Sequence, residues 1–357
     1  MPVLVDSSLW VHQLRRSGDP AKRDRVNALE HGHEIVERRT VGLAEMEGNS
    51  SEDAAYALPE DQQAYVRFFH QNFEHYRDVR SVADVAILHS YATMAHNNDR
   101  PYQSTLLFEQ SLIQANIPFD IIFDDQLKDL SKYKVIVLAD QECLDDENLD
   151  LIRSFVRAGG GLVATEHTSL YTEWRQRKRD FGLQDIFQVN APEWHGANPP
   201  EDILNIPIQK NQIGKGRVVY IPEVEAIVQK PPAAPMTSQY WSLPRNWKDL
   251  IQSVHWASDN RLSLGVDAPL YVTSELTEKA DGSALMLHLL NFNFMKTGVE
   301  NIKVDVQVPE GRKVGEIVAL TPDGRPDQIL DFKLSGKRIL FTVPSLAVYN
   351  VVVLKLE

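Results

Sequence analysis

The sequence predicts an α/β doubly wound domain followed by a small all-β sandwich, and three observations predict it. Four short apolar runs, Ala83 to Ser90 (ADVAILHS), Phe119 to Asp124 (FDIIFD), Lys134 to Asp140 (KVIVLAD) and Gly161 to Glu166 (GLVATE), have the composition of strands buried on both faces of a parallel sheet. The segments between most of them carry a single apolar stripe at helical spacing, as crossover helices do. From about residue 262 the helical period disappears, and apolar runs punctuated by turn residues take over.

The elements follow in order. Residues 1–58 form a separate zone that opens on PVLVD, passes through the charged stretch RRSGDPAKRDR and ends in EGNSSED. Pro59 to Tyr76 reads as a helix with Val66, Phe69, Phe73 and Tyr76 on one side, so residues 59–80 are expected to form an aromatic helix ahead of the sheet. The α/β domain is expected over 81–229. Within it Thr105, Phe108, Leu112 and Ala115 mark one helix, ended by Asn116 and Pro118, and Leu149, Ile152 and Val156 mark a second, ended by Gly159 to Gly161. A segment rich in Arg, Lys and Trp (YTEWRQRKRDFG) reads as surface, and Val218 to Ile221 in GKGRVVYIPE as one more strand.

Residues 230–261 hold KPPAAP, a linker composition, and a short helix near Trp247 to Ser258. The sandwich is expected over 262–357 from seven runs: PLYVTSEL, SALMLHLLNF, NIKVDVQV, EIVAL, ILDFKL, RILFTV and VYNVVVLKL. Asp-Gly pairs at 281–282 and 323–324 are turn signals, and Val304, Val306 and Val308 alternate with polar residues as a half-solvated sheet requires.

Composition narrows the function. At 357 residues the chain is long enough for two or three domains. With 37 Lys and Arg against 50 Asp and Glu, the formal charge of -13 argues against nucleic acid as a partner. A single cysteine, Cys143, excludes an intrachain disulfide, and no apolar run reaches the ~20 residues needed to cross a bilayer. With no export signal at Met1, a cytoplasmic protein without membrane contact is expected.

In sheets of this kind the ligand crevice lies beyond the carboxyl ends of the strands. Those ends bring forward His89, Asp124, Asp140, Glu142, Glu166 and His167 as candidate binding residues. Glu166 and His167, a carboxylate beside an imidazole, are the candidate catalytic pair, with a hydrogen-bonded strand end as the plainer reading. Acidic neighbours of Cys143 disfavour a thiolate, so a buried, inert cysteine is expected. His31 and His33 lack further metal ligands nearby and read as exposed. Arg175, Arg177, Lys178 and Arg179, beside Trp174, read as a subunit contact or a solvated loop.

Taken in order, SVADVAIL, LLFEQSLIQANIPFDIIFDDQL, LSKYKVIVLADQECL, IRSFVRAGGGLVATEHTSLYTE and GKGRVVYIP resemble the non-catalytic half of family-42-type β-galactosidases and allied glycoside hydrolases. In those proteins a TIM barrel is followed by a class I glutamine-amidotransferase-like, flavodoxin-like α/β domain, often called the trimerisation domain, and then a β-sandwich. The resemblance covers roughly four-fifths of the chain and implies that the aromatic helix is the remnant of the barrel's last helix. It also implies a partner: a homo-oligomer, or a separate barrel-bearing glycosidase chain.

The roughly 58 residues ahead of that helix fall short of the ~250 a barrel takes, so the two catalytic carboxylates of the family are expected to be absent. Active amidotransferases carry a cysteine on an elbow after the strand that here reads GLVATEHTS, and Glu166 stands in its place. The expectation is therefore a non-catalytic association module related to carbohydrate metabolism, a pseudoenzyme that needs no cofactor. One alternative is a sugar-binding protein using the crevice.

A third reading comes from the first fifty residues. MPVLVDSSLWVHQLRRSGD and VGLAEMEG resemble the start of PIN-domain ribonucleases, which implies Mg²⁺ or Mn²⁺ held by Asp6 and Glu45, with Asp84 and Asp99 as further acids. That reading requires residues 84–90 to be helical, whereas their pattern is that of a strand.

Overall fold

The computed structural model of the chain describes residues 60–193, 203–227, 242–293 and 298–357. In order these form α1 (Glu60–Gln71), β1 (Val79–Ser81), β2 (Val85–His89), α2 (Tyr91–His96), α3 (Arg100–Gln114), β3 (Phe119–Phe123) and β4 (Val135–Leu138). There follow α4 (Asp146–Ala158), β5 (Gly161–Thr165), α5 (Gln184–Phe187), β6 (Gln209–Ile213), β7 (Gly216–Ile221) and α6 (Trp247–Ala257). The rest is strand: β8 (Leu264–Asp267), β9 (Val272–Lys279), β10 (Ala284–Asn291), β11 (Val299–Gln307), β12 (Val314–Leu320), β13 (Gln328–Ile329), β14 (Phe332–Ser335), β15 (Arg338–Leu346) and β16 (Tyr349–Leu356).

The α/β body is built on a sheet of order β3-β2-β4-β5-β7-β6, parallel except for the antiparallel edge strand β6. Successive residues of its inner strands face opposite ways. Ala86, Leu88, Ile136, Leu138 and Leu162 join Leu149, Ile152 and Val156 of α4 and Phe187 of α5 in one core. Val85, Ile87, Val135, Val137 and Val163 join Leu107, Phe108 and Leu112 of α3 and Leu250 and Val254 of α6 in another. Helices on both faces explain why these strands read as unbroken apolar runs rather than as alternating ones. Asn116 and Gly159 end α3 and α4 with φ of +57° and +125°, as their residue types suggest.

The sandwich faces a six-stranded sheet, β1-β9-β10-β16-β12-β13, with a four-stranded one, β14-β15-β11-β8. Leu276, Leu285, Leu287, Val352 and Leu354 of the first meet Ile302, Val304, Val306, Ile339 and Phe341 of the second. Gly282 and Gly324, at φ of +70° and +80°, make the two Asp-Gly turns.

Several features depart from the sequence reading. β1 lies ahead of the α/β body in sequence, yet it pairs antiparallel with β9, so the sandwich takes its first strand from before that body. The buried aromatic of α1 is Phe68, with Tyr76 beyond the helix end, rather than a stripe through Phe69, which is 37% exposed. Phe68 and Tyr76 cover Met286, Val351 and Val353 on the outer face of the six-stranded sheet. The helix stops at Gln71 because the Asn72 side chain donates to Phe68 O, 2.9 Å away. ILDFKL divides between β13 and β14, which belong to different sheets. β8 and the polar edge strand β6 were not foreseen. Asp6, Glu45, His31, His33 and most of the Pro-rich linker lie outside the described residues. Among the described residues no helix is long and apolar enough to cross a membrane.

Candidate functional site

The carboxyl ends of β4 and β5 turn sharply at Asp140 and Glu166, which sit at left-handed φ of +50° and +48°. Such conformations cost about 1 kcal/mol or more each and persist where neighbours fix them. Here the two turns are stitched together. Asp140 N donates to Thr165 Oγ1 (2.9 Å), Gln141 N to Thr168 Oγ1 (3.2 Å) and His167 N to Asp140 Oδ1 (2.9 Å). The Gln141 side chain accepts from Ser90 N at 2.8 Å and donates to Thr105 Oγ1 at 3.0 Å, bringing in the end of β2 and the flank of α3.

Glu166, directly after β5, is 3% exposed, and both oxygens of its carboxylate accept hydrogen bonds. Oε1 accepts from Ser104 Oγ (2.8 Å) and Val224 N (3.2 Å), and Oε2 accepts from Thr165 Oγ1. Its carbonyl accepts from Tyr220 Oη at 2.7 Å. The residue therefore pins α3 and the segment after β7 to the end of β5. Burial raises its pKa, opposed by the Arg100 charge and by these hydrogen bonds.

Asp140 and Glu142 complete an acidic knot. Asp140 is fully buried, and burial together with the Glu166 and Glu142 charges pushes its carboxyl well above the usual range against the pull of Arg100. Glu142 accepts from Asn97 Nδ2 at 3.0 Å and lies 3.5 Å from Arg175 Nη2; burial raises its pKa as well. His167 Nδ1 is 3.7 Å from Asp140 Oδ1. Three carboxylates thus face two guanidinium groups, Arg100 and Arg175, an environment that draws in protons or cations and disfavours a thiolate. Cys143 is buried, and burial, with Glu142 beside it, pushes its thiol up to about 12.

Of the six candidate binding residues, the structure brings together Asp140, Glu142, Glu166 and His167. It sets His89 and Asp124 apart. His89 Nε2 pairs with Glu109 Oε1 of α3 at 2.7 Å. Asp124 accepts from Tyr91 N (2.6 Å) and Asn148 Nδ2 (3.2 Å), fastening α2 and α4 to the end of β3. Nor are Asp84 and Asp99 brought together. Residues 85–89 form a central strand, with Asp84 before its first residue and Asp99 beyond its last, so the helix that a PIN-type site requires there is not formed. Asp84 instead bonds Lys134 Nζ (2.9 Å) and Ser263 Oγ (3.0 Å).

Sequence reasoning missed Arg100, Ser104, Glu109 and Asn97. One signal was available: Arg100 opens α3, where the helix dipole disfavours a cation, so an acidic partner was called for. The basic cluster folds back on its own domain. Arg175 donates to His96 O (2.7 Å), Arg177 to Pro192 O (2.6 Å) and Lys178 to Leu144 O (3.3 Å), while Trp174 stays 72% exposed.

Residues 83–182 match the family model described as Beta-galactosidase trimerisation domain. The fold resembles that of an alpha-L-fucosidase isoenzyme 2 from Paenibacillus thiaminolyticus (TM-score 0.56, 18% identity, 87% of this chain and 54% of that one). It also resembles a beta-galactosidase from Rahnella sp. R3 (TM-score 0.53, 16% identity, 82% and 44%) and one from Bacillus circulans sp. alkalophilus (TM-score 0.52, 16% identity, 81% and 44%). The chain spans about half or less of the length of these enzymes, and at such identity the likeness is one of fold. No curated protein matches the chain.

Proposed function

We propose that this chain is an accessory, oligomer-forming module of a β-galactosidase-related glycoside hydrolase, and that its α/β body is a doubly wound, amidotransferase-like domain that performs no chemistry of its own. The match of residues 83–182 to a trimerisation domain carries the reading. The site supports it. At the strand end where a nucleophile would stand, both carboxylate oxygens of Glu166 are taken up by neighbours that hold the fold. The nearby thiol of Cys143 is buried and has its pKa raised to about 12. The partner is a further copy of this chain or a separate barrel-bearing glycosidase chain.

Sedimentation velocity of the purified full chain is expected to give a species larger than a monomer, and aryl β-galactosides are expected to stay intact. A turnover that Glu166→Gln abolishes would overturn the non-catalytic reading, and a strictly monomeric chain would remove self-association.

A further inference from the structure

Asp140, Glu142 and His167 each offer one ligand atom, and these atoms all lie within 4.8 Å of one another. They come from the turns after β4 and β5, whose relative position is fixed by the hydrogen bonds between residues 140–141 and 165–168. The three residues are 0%, 1% and 3% exposed.

A second observation concerns what these side chains lack. Asp140 Oδ2 and Glu142 Oε2 are buried oxygens that receive no hydrogen bond. The cations next to them stop short: Arg100 Nε is 3.9 Å from Asp140 Oδ2, and Arg175 Nη2 is 3.5 Å from Glu142 Oε2. A buried acceptor left without a donor costs about 1–3 kcal/mol, more when charged, so two of them side by side mark a place for a positive occupant. Its size is also constrained. A sugar needs a cleft of roughly 300 Å³ or more, and side chains this buried present no such surface, which favours a single ion.

We propose that Asp140, Glu142 and His167 bind one divalent transition-metal ion, Zn²⁺ or Mn²⁺, that bolts the turn after β4 to the turn after β5. One imidazole nitrogen and two carboxylate oxygens suit Zn²⁺ and Mn²⁺. Ca²⁺ and Mg²⁺ take oxygen ligands and fit less well. At metal–ligand bonds of about 2.0–2.2 Å, the ligand atoms of a tetrahedral site stand roughly 3.3–3.6 Å from one another, so a triangle whose atoms lie within 4.8 Å closes by little more than about 1 Å to grip the ion. The ion is structural, and its binding is independent of whether the domain trimerises.

The test uses the full chain, freed of metal by dialysis against chelator and titrated calorimetrically with Zn²⁺ and with Mn²⁺. One ion per chain is expected at this site, with affinity falling at least tenfold in Asp140→Asn and in His167→Gln. His89→Gln, whose ring pairs with Glu109 outside the cluster, should bind as the parent does. Affinity unchanged in both ligand variants, or no binding of either ion by the parent chain, overturns the proposal. Should the variants fail to fold, hydrogen exchange of the parent chain decides: added Zn²⁺ is expected to slow exchange in peptides spanning 139–144 and 165–172, and unchanged exchange there is the overturning result.

Discussion

His288 sits on the outer face of the six-stranded sheet with both ring nitrogens engaged, Nδ1 with Tyr349 Oη at 2.8 Å and Nε2 with Thr277 Oγ1 at 3.2 Å. Tyr76 Oη meets Tyr349 Oη at 3.1 Å, so the ring that covers the sheet and the imidazole share one hydrogen-bond chain. Burial lowers the His288 pKa from 6.5 to about 4, with His75 adding a smaller push in the same direction. The folded value lies below the unfolded one, so this contribution is whole above pH 6.5 and drains away as the pH falls toward 4. Full linkage corresponds to about 3 kcal/mol, and the partial exposure of the ring reduces it. We expect His288→Gln to flatten the fall of the urea midpoint between pH 6.5 and pH 4; a slope equal to the parent's would rule out this residue as its source. Glu166 is satisfied in the same way, a carboxylate buried with its acceptors filled, which is why a residue that reads as chemically poised in the sequence serves to hold three segments together.

At the scale of elements, α4 and β7 meet backbone to backbone at Gly216. A Cβ on Gly216 would press into the carbonyls of Val156 and Gly160, which are backbone and cannot swing aside. Gly216→Ala is therefore expected to cost about 3 kcal/mol, read as a lowered urea midpoint, whereas at Gly265, which like Gly216 has no positive φ, a Cβ would meet nothing nearer than 3.7 Å, so Gly265→Ala serves as the control. The sequence GKGR shows that a turn is there, but the reason for its second glycine lies in a helix some sixty residues earlier. The same division holds elsewhere. β2, β4 and β5 were legible because burial on both faces leaves them apolar up to their carboxyl ends, where His89 and Thr165 stand. β6 was not, because an edge strand that alternates half-buried and exposed residues, QKNQI, carries no apolar signal. β1 has three residues and takes its strand character from β9 alone. In the site, Asp140, Glu142, Glu166 and His167 could be found because strand ends place them. Ser104 could not, because its arrival depends on how α3 crosses over those ends, and for Arg100 the charge at the helix start called for an acid without saying which.

Across the whole molecule, the α/β body and the sandwich are clamped by Asp84 and Lys134. Asp84 accepts from Ser263 N and Oγ, and Lys134 Nζ reaches Arg261 O (2.6 Å), Ser263 Oγ (2.9 Å) and Gln307 Oε1 (3.2 Å). Removing one partner strands the other in a partly buried place, a loss of about 2 kcal/mol. Asp84→Ala is expected to split calorimetric unfolding into two transitions, and a single transition would show that the clamp does not couple the domains. The position of β1 has a further consequence, for synthesis. Val79 pairs with Lys279, a residue made 200 positions later. At about 5–20 residues per second the ribosome takes roughly 10–40 s to supply that partner. Through that interval the α/β body can close, while β1 and the aromatic rings of Phe68 and Tyr76 wait uncovered outside the exit tunnel, a surface for chaperones to hold until the last strands emerge.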